Sequence, residues 1–338
     1  MANRKKPQFS YTPGKKIKSP GLRRNPSFIG VIIVLAMFLI FLFGRENLFS
    51  NNFDISGEFA VHFIDIGQGD SILIQNSDNE FMLIDAGENS QYSKLSSYLE
   101  QHGVREFKYV IFTHPHADHI GAAHRIVREY NIDKLIMPSV YHDTVTFRNL
   151  MDALDEKGMG ITRAEAGDNY KFGDAEFLIL APFSEEYNNL NNYSVVILMN
   201  HGNNRFLFTG DMERESENEV IRHCQTNNFN IRADVLKVSH HGSSSSSQAA
   251  LLDLIRPKLS VIQVGEGNSH NHPNLQVIGR LEDTGSEIIR TDWHGDIIIL
   301  SNGRNLSVRT SKGDYDGRFA DALEEELEQD GDKKGETE

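Results

Sequence analysis

His114, His116, Asp118 and His119 fall within six consecutive positions of "THPHADHIGAAHR" (113–125), in a chain that has 14 histidines in all. Imidazole nitrogens and a carboxylate oxygen at this density form the donor set of a divalent metal site. A helix would scatter the four side chains around its circumference, and a strand would send His119 away from the other three. A loop can point all four at one spot. One turn cannot complete two coordination spheres, so further His or Asp must arrive from other strand ends. Two candidates stand where strands are expected to stop: Asp211 closes "FLFTGD", and His240 and His241 close "DVLKVSHH", each group with a glycine beside it. The single cysteine, Cys224, excludes a disulfide framework and a Cys-rich zinc knuckle, so any metal is held by nitrogen and oxygen.

The surrounding elements must bring these turns together. "FAVHFIDI", "SILIQ", "EFMLIDAG" and "KYVIFT" read as strands, the last delivering the chain to the histidine turn. "YSKLSSYLEQHG" and "TFRNLMDALDEKG" have helical spacing and a glycine stop, and Ile120, Ala123, Val127 and Tyr130 mark another amphipathic helix. The second half is again β-rich, with "AEFLILAP", a hairpin turning near "HGNN" (201–204), "ADVLKVSHHG", "LSVIQVG" and a closing hairpin "DIIILSNGRNLSVRT". "SQAALLDLI" and "LQVIGRLEDTG" are its helices. Hairpins and strand–helix units occur in both halves. The reading is therefore an α/β fold of two mixed sheets packed together with helices outside, one domain over 57–311.

Charge divides the chain. It carries −14 overall, but nine of its 34 Lys/Arg lie in residues 1–45, which hold no acid; the remainder has 25 bases against 48 acids. An acidic body repels polyanions at long range and argues against tight non-specific DNA binding, without forbidding a metal site from acting on a phosphate. Residues 1–27 read as a basic cytoplasmic leader and 28–44, with the uncharged run Phe28–Phe43, as a transmembrane signal anchor. A buried core helix and a cleaved signal peptide are the competing readings. The run is apolar all round and follows a basic leader, which speaks against the first; "GRENLFSNN" (44–52) offers no small-residue cleavage site, which speaks against the second. The positive-inside rule then puts residues after 45 outside the cell. Residues 312–338 read as an acidic tail.

His114-Pro115-His116-Ala117-Asp118-His119 resembles the HxHxDH signature of the metallo-β-lactamase superfamily. Within it, the chain is similar to the hydrolase domain of ComEC-type competence proteins. The likeness covers about residues 58–310 through "HFIDIGQGDSILI" (62–74), "LIDAG" (83–87), "THPHADHIG" (113–121), "NNYSVVI" (191–197), "FLFTGD" (206–211), "DVLKVSHHGSSSSS" (234–247), "HP" (272–273) and "RTDWHGDI" (290–297). It implies a four-layer αββα sandwich and two divalent metal ions, zinc or manganese. By that resemblance His114 and His116 are first-site ligands, Asp118 and His119 second-site ligands, Asp211 the bridging carboxylate and His241 the last ligand. The catalytic set it implies is Asp118, Asp211 and His240, with His240 facing substrate, and Asp85 orients a ligand histidine. Many members supply a third first-site histidine between the turn and the bridging aspartate. Here that interval holds only His124, His142 and His201, none at an expected strand end, and Asn191, Asn192 or Ser194 is expected beside the first site instead. Ser243, in the serine run, and His272 are candidates for substrate contact.

The activity implied is that of a membrane-anchored, extracellular, metal-dependent phosphodiesterase or nuclease that uses a metal-bridging hydroxide, with single-stranded DNA as the leading substrate. Two other readings stay open: a phosphoesterase acting on phosphocholine-type envelope material, and a non-catalytic envelope binding domain. The topology has a direct test. Protease added to intact cells should remove the domain and leave a membrane stub, whereas full protection would place the domain in the cytosol.

Overall fold

Side-chain alternation decides the layers. Phe206 and Phe208 join one core while Leu207 joins another, and Ile197 and Met199 are separated in the same way from Val196 and Leu198. These central strands therefore bury both faces. The computed structural model describes Ile55, residues 57–313 and Tyr315. The first six strands, β1 (Phe59–Phe63), β2 (Ile72–Gln75), β3 (Phe81–Ile84), β4 (Glu106–Ile111), β5 (Asn131–Met137) and β6 (Thr162–Arg163), build one sheet. The next seven, β7 (Asn169–Phe172), β8 (Ala175–Ala181), β9 (Val196–His201), β10 (Asn204–Phe208), β11 (Val235–Lys237), β12 (Leu259–Ile262) and β13 (Glu287–Arg290), build a second. The hairpin of β14 (Ile297–Ser301) and β15 (Leu306–Thr310) returns to the first sheet, whose order is β15-β14-β1-β2-β3-β4-β5-β6. The second runs β13-β12-β11-β10-β9-β8-β7.

Phe59, Val61, Phe63, Ile72 and Ile74 from the first sheet meet Phe177, Phe206, Phe208, Val235 and Val261 from the second in the core between the sheets. Burying such side chains contributes roughly 1.5–3 kcal/mol each. Outside the first sheet pack α1 (Tyr92–Gln101), α2 (Ala117–Ile120), α3 (Ala123–Glu129) and α4 (Val145–Lys157), through Leu95, Ile120, Ile126 and Leu150. Outside the second pack α5 (Arg214–Asn227), α6 (Ala249–Ile255) and α7 (Leu275–Asp283), through Val220, Leu252 and Leu281. A short helix, α8 (Thr291–His294), follows β13. The result is the expected αββα order of layers.

The hairpins and five of the longer helices match the periodicity of the chain, but α5 does not announce itself. Its buried side chains are Ser216, Glu217, Val220 and Cys224, so the inward face has too little apolar character to register. The parallel strand β13 and the short β6 and β7 were equally silent. Among the described residues no helix is long and apolar enough to cross a membrane. The expected leader (1–27) and anchor (28–44) lie outside the described residues, as does nearly all of the acidic tail.

The strands β3 to β6 are parallel, and so are β10 to β13. Both runs release their chain at one edge of the sandwich. Asp85 follows β3, the histidine turn follows β4, Asp211 follows β10, and His240 and His241 follow β11. One expectation needs correction here. The strand does not run on through "KVSHH": β11 stops at Lys237, and both histidines lie in a 3-10 turn, Ser239–Gly242. Two successive left-handed residues turn the pair, with φ of 50° at His240 and 52° at His241, at a cost of roughly 1–2 kcal/mol per residue.

Gly69 shows how closely the edge loops approach one another. Its φ is +122°, and a Cβ there would lie 2.2 Å from the backbone oxygen of Asp118. Gly69→Ala should therefore destabilise the fold by at least about 1–3 kcal/mol and displace the Asp118 turn, although Gly69 carries no donor atom. Urea unfolding together with metal content checks this; a variant normal in both would mean that the contact is not needed.

Candidate metal centre

Asp85, itself at φ +58°, anchors the histidine turn. Its carboxylate accepts from the Thr113 backbone N (2.8 Å), the Thr113 hydroxyl (2.6 Å) and His119 Nδ1 (2.8 Å). That last bond commits the His119 Nδ1 proton to Asp85 and leaves Nε2 free for another partner. His241 is oriented in the same way, its Nδ1 lying 2.9 Å from the Gln263 carbonyl oxygen. His119 Nε2 and His241 Nε2 are buried without a hydrogen-bond partner, and so is Asp211 Oδ1. They converge: Asp211 Oδ2 lies 3.2 Å from His119 Nε2 and 3.6 Å from His241 Nε2, and Asp118 Oδ2 lies 3.8 Å and 3.3 Å from the same two nitrogens. Ligands about 2.0–2.1 Å from a tetrahedral ion stand roughly 3.3 Å from one another. Asp118, His119, Asp211 and His241 thus have the spacing and the orphaned atoms of a site for one divalent cation.

A second set adjoins it. His114 Nε2 lies 2.9 Å from His116 Nδ1 and 3.9 Å from Asp211 Oδ2, so Asp211 stands between the two groups where a bridge would have to be. Ser194 ties the bridge in place: its hydroxyl accepts from the Asp211 backbone N (3.0 Å) and lies 3.4 Å from His114 Nδ1. His240 is only part-buried. Its Nδ1 lies 3.0 Å from Glu213, and its Nε2 lies 3.7 Å from Asp211 Oδ2. The His272 ring is 5.5 Å from that of His240.

Other expectations land elsewhere. Asn191 does reach the site, donating to Glu213 (2.9 Å) with its own Oδ1 buried and unpartnered. Asn192 does not: its Oδ1 accepts from the backbone N of Glu213 and of Ser216, capping α5. The serine run is largely tied up internally. The Ser243 hydroxyl bonds Ser245 (2.9 Å), Ser246 donates to the Ser239 carbonyl (3.0 Å), and the Ser247 N donates to buried Glu217 (2.5 Å). His142 braces the turn through the Pro115 carbonyl (2.9 Å), while His201 stacks on Phe59 far along β9. Sequence reasoning missed Asp70, Lys237, Glu213 and Gln263. A lysine inside the apolar run "VLKV" was the one available signal.

The charges explain the protonation of the metal-free site. Burial alone would raise Asp211 and lower His119 and His241. The mutual attraction prevails: His119 and His241 pull Asp211 well below the usual carboxylate range. Asp211, Asp118 and Asp85 hold His119 well above the usual histidine value, and Asp211 and Asp70 push His241 up to about 10. His114, where burial and the neighbouring His119 act together, is held well below it.

Residues 64–266 match the Metallo-beta-lactamase superfamily. The chain is 31% identical to ComE operon protein 3 of Bacillus subtilis (strain 168) over 79% of its own length and 35% of that protein's. It is 28% identical to Recombination protein 2 of Haemophilus influenzae, over 85% of this chain and 34% of that one. The chain thus spans about a third of the length of these curated relatives. Among solved structures, the metallo-beta-lactamase fold protein YhfI from Bacillus subtilis superposes with a TM-score of 0.49 at 12% identity, covering 72% of this chain and all of that one.

Raised histidines make metal binding proton-linked. A cation entering the Asp118–His119–Asp211–His241 group must displace the protons on His119 and His241, so affinity should climb as pH rises from 6 toward the His241 value of about 10. About two protons should be released per ion bound near neutral pH. Calorimetry in two buffers of different ionisation enthalpy reads that number; zero release would show that these histidines are already neutral before the ion enters.

Proposed function

The chain belongs to the metallo-β-lactamase superfamily and is a metal-dependent hydrolase related to competence proteins; from that premise we propose that it cleaves phosphodiesters and that its substrate is single-stranded DNA. In this reading His114, His116 and Asp211 hold one ion, and Asp118, His119, Asp211 and His241 hold the other, zinc or manganese. Two such ions supply Lewis-acid chemistry and lower the pKa of water. The chain's own residues do the rest. Asp85 and Gln263 keep the ligand rings aimed, and Glu213 aims His240 Nε2 at the space beside Asp211, where it can donate to a phosphate oxygen as charge builds. His272, which burial and the nearby His240 hold down at about 4, stays neutral beside it. The N-terminal segment 28–44 is proposed to tether the domain on the outer face of the membrane.

One observation favours an extended nucleic acid over a compact headgroup. Among the described residues the exposed Phe, Tyr and Trp side chains are Tyr141 (70%), Trp293 (64%) and Phe183 (36%). All three stand at the metal-bearing edge: Tyr141 after β5, Phe183 after β8 and Trp293 in α8 after β13. Strands about 4.8 Å apart put β13 roughly 15 Å from β10, so the rings are spread along a rim instead of forming a cage around one choline cation. Arg290 covers one face of Trp293 with its guanidinium 3.9 Å from the ring centroid, and such platforms stack successive bases without reading sequence.

The test uses the full chain loaded with zinc or manganese against a single-stranded oligonucleotide, bis-nitrophenyl phosphate and a phosphocholine ester. Asp211→Ala should abolish turnover of every substrate cleaved. Trp293→Leu should raise KM for the oligonucleotide about tenfold, the effect of about 1.4 kcal/mol of lost stacking, and leave the small diester unchanged. Turnover of the phosphocholine ester with no cleavage of DNA would transfer the assignment to envelope substrates.

A further inference from the structure

Lys237 is the only Lys or Arg in the buried set among the described residues. It is the last residue of β11, where Val235 joins the core between the sheets and Leu236 the outer core, so Lys237 points between the sheets. Its Nζ lies 2.6 Å from Asp70 Oδ2 and donates to the Val238 carbonyl at 3.0 Å. Asp70 belongs to the opposite sheet, in the loop joining β1 to β2. Asp70 Oδ1 lies 3.3 Å from His241 Nδ1, and Asp70 Oδ2 lies 4.0 Å from His119 Nδ1. The Asp70 backbone N donates to the Asp118 carbonyl at 3.1 Å. One residue thus touches three of the four members of the second metal group from behind.

A buried ion pair is a poor device for holding two sheets together, because apolar side chains of the same volume do so as well or better. Its value lies in a fixed, oriented charge. Asp70, Asp85 and His119 also place donor atoms within 4.8 Å of one another, a cluster that would attract a cation of its own if nothing positive were already there.

We propose that Lys237 and Asp70 form a positioning pair for the metal centre: Asp70 Oδ1, 3.3 Å from His241 Nδ1, acts beside the Gln263 carbonyl to hold that ring with Nε2 facing Asp118 and Asp211, and the Lys237 ammonium keeps Asp70 behind the ligands instead of among them. This rests on the reading that Asp118, His119, Asp211 and His241 hold an ion. Neither residue touches substrate, so both act through His241 and the Asp118 turn.

The experiment compares the full-length wild type with Lys237→Met and with the double variant Lys237→Met/Asp70→Asn. Three readouts are taken: the urea midpoint of the metal-free protein, the zinc dissociation constant by competition with a chromophoric chelator, and the absorption bands of the cobalt-substituted protein. Lys237→Met alone leaves a buried carboxylate unpaired and should lower the midpoint. The double variant removes both charges and should restore the midpoint while binding zinc at least tenfold more weakly, with altered cobalt bands. Recovery of zinc affinity and cobalt bands along with the midpoint would make the pair merely structural and overturn the proposal. A double variant that does not fold would overturn it as well, since a pair that only positions ligands is dispensable to folding. A wild type that binds no zinc would bring down the metal-centre reading itself, and this proposal with it.

Discussion

Four carboxylates, Asp70, Asp85, Asp118 and Asp211, crowd around two buried imidazoles at the edge of the sandwich. Uncompensated charge in such a place is very unfavourable, and much of the surrounding structure answers to it. Lys237 neutralises one carboxylate and leaves three negative charges. Protons on His119 and His241 answer two of them in the metal-free chain. Two divalent cations would answer all three and leave one positive charge over, which suits a site that must receive an anionic oxygen. The cluster is therefore tuned for cations of high charge, and a close-packed apolar interior alone could not hold it.

Rigidity comes from the backbone. The loop before β2, the turn after β3 and the histidine turn are joined by main-chain hydrogen bonds: Asp70 N to Asp118 O, Gly87 N to Asp70 O, Ala86 N to His119 O and Ala122 N to Gly87 O. Gln263 reaches from the second sheet to the carbonyls of Ile64 and Ser71 in the first (3.1 and 2.9 Å). Side chains mounted on loops tied in this way are preorganised with little freedom left to lose. The same ties account for the glycine at 69, where the loops approach too closely for any side chain.

The serine loop next to the histidine pair follows a similar logic at one remove. Glu217 on α5 accepts from the backbone N of Ser247 and of Gln248, and Arg280 on α7 donates to the Ser246 carbonyl. The loop is held from both sides, so the left-handed pair His240–His241 has a fixed base. Two histidines adjacent in sequence thereby acquire different surroundings, one buried among carboxylates and one turned toward the opening with Glu213 behind it.

What the sequence determined by itself was chemistry and local order. Donor types clustered in one short stretch, Asp211 and His241 just beyond strands, period-two strands and helical repeats with glycine stops were all legible, because each depends on residues near one another in the chain. The two-sheet sandwich followed from them. That Asp118 and His119 stand in a helical turn, Ala117–Ile120, and not in a loop was not legible. Only the tertiary structure decided which atoms meet: that Asp211 lies among four histidines, that Asn192 and the hydroxyls of Ser243 and Ser246 are spent on internal bonds, and that Lys237 crosses to Asp70, 167 positions away. Helix α5 stayed hidden for the same reason: its inward face carries Glu217, whose burial makes sense only once the backbone N of Ser247 and of Gln248 are in place to donate to it. A buried polar group carries no periodic mark in the sequence; its stability comes entirely from partners that folding supplies.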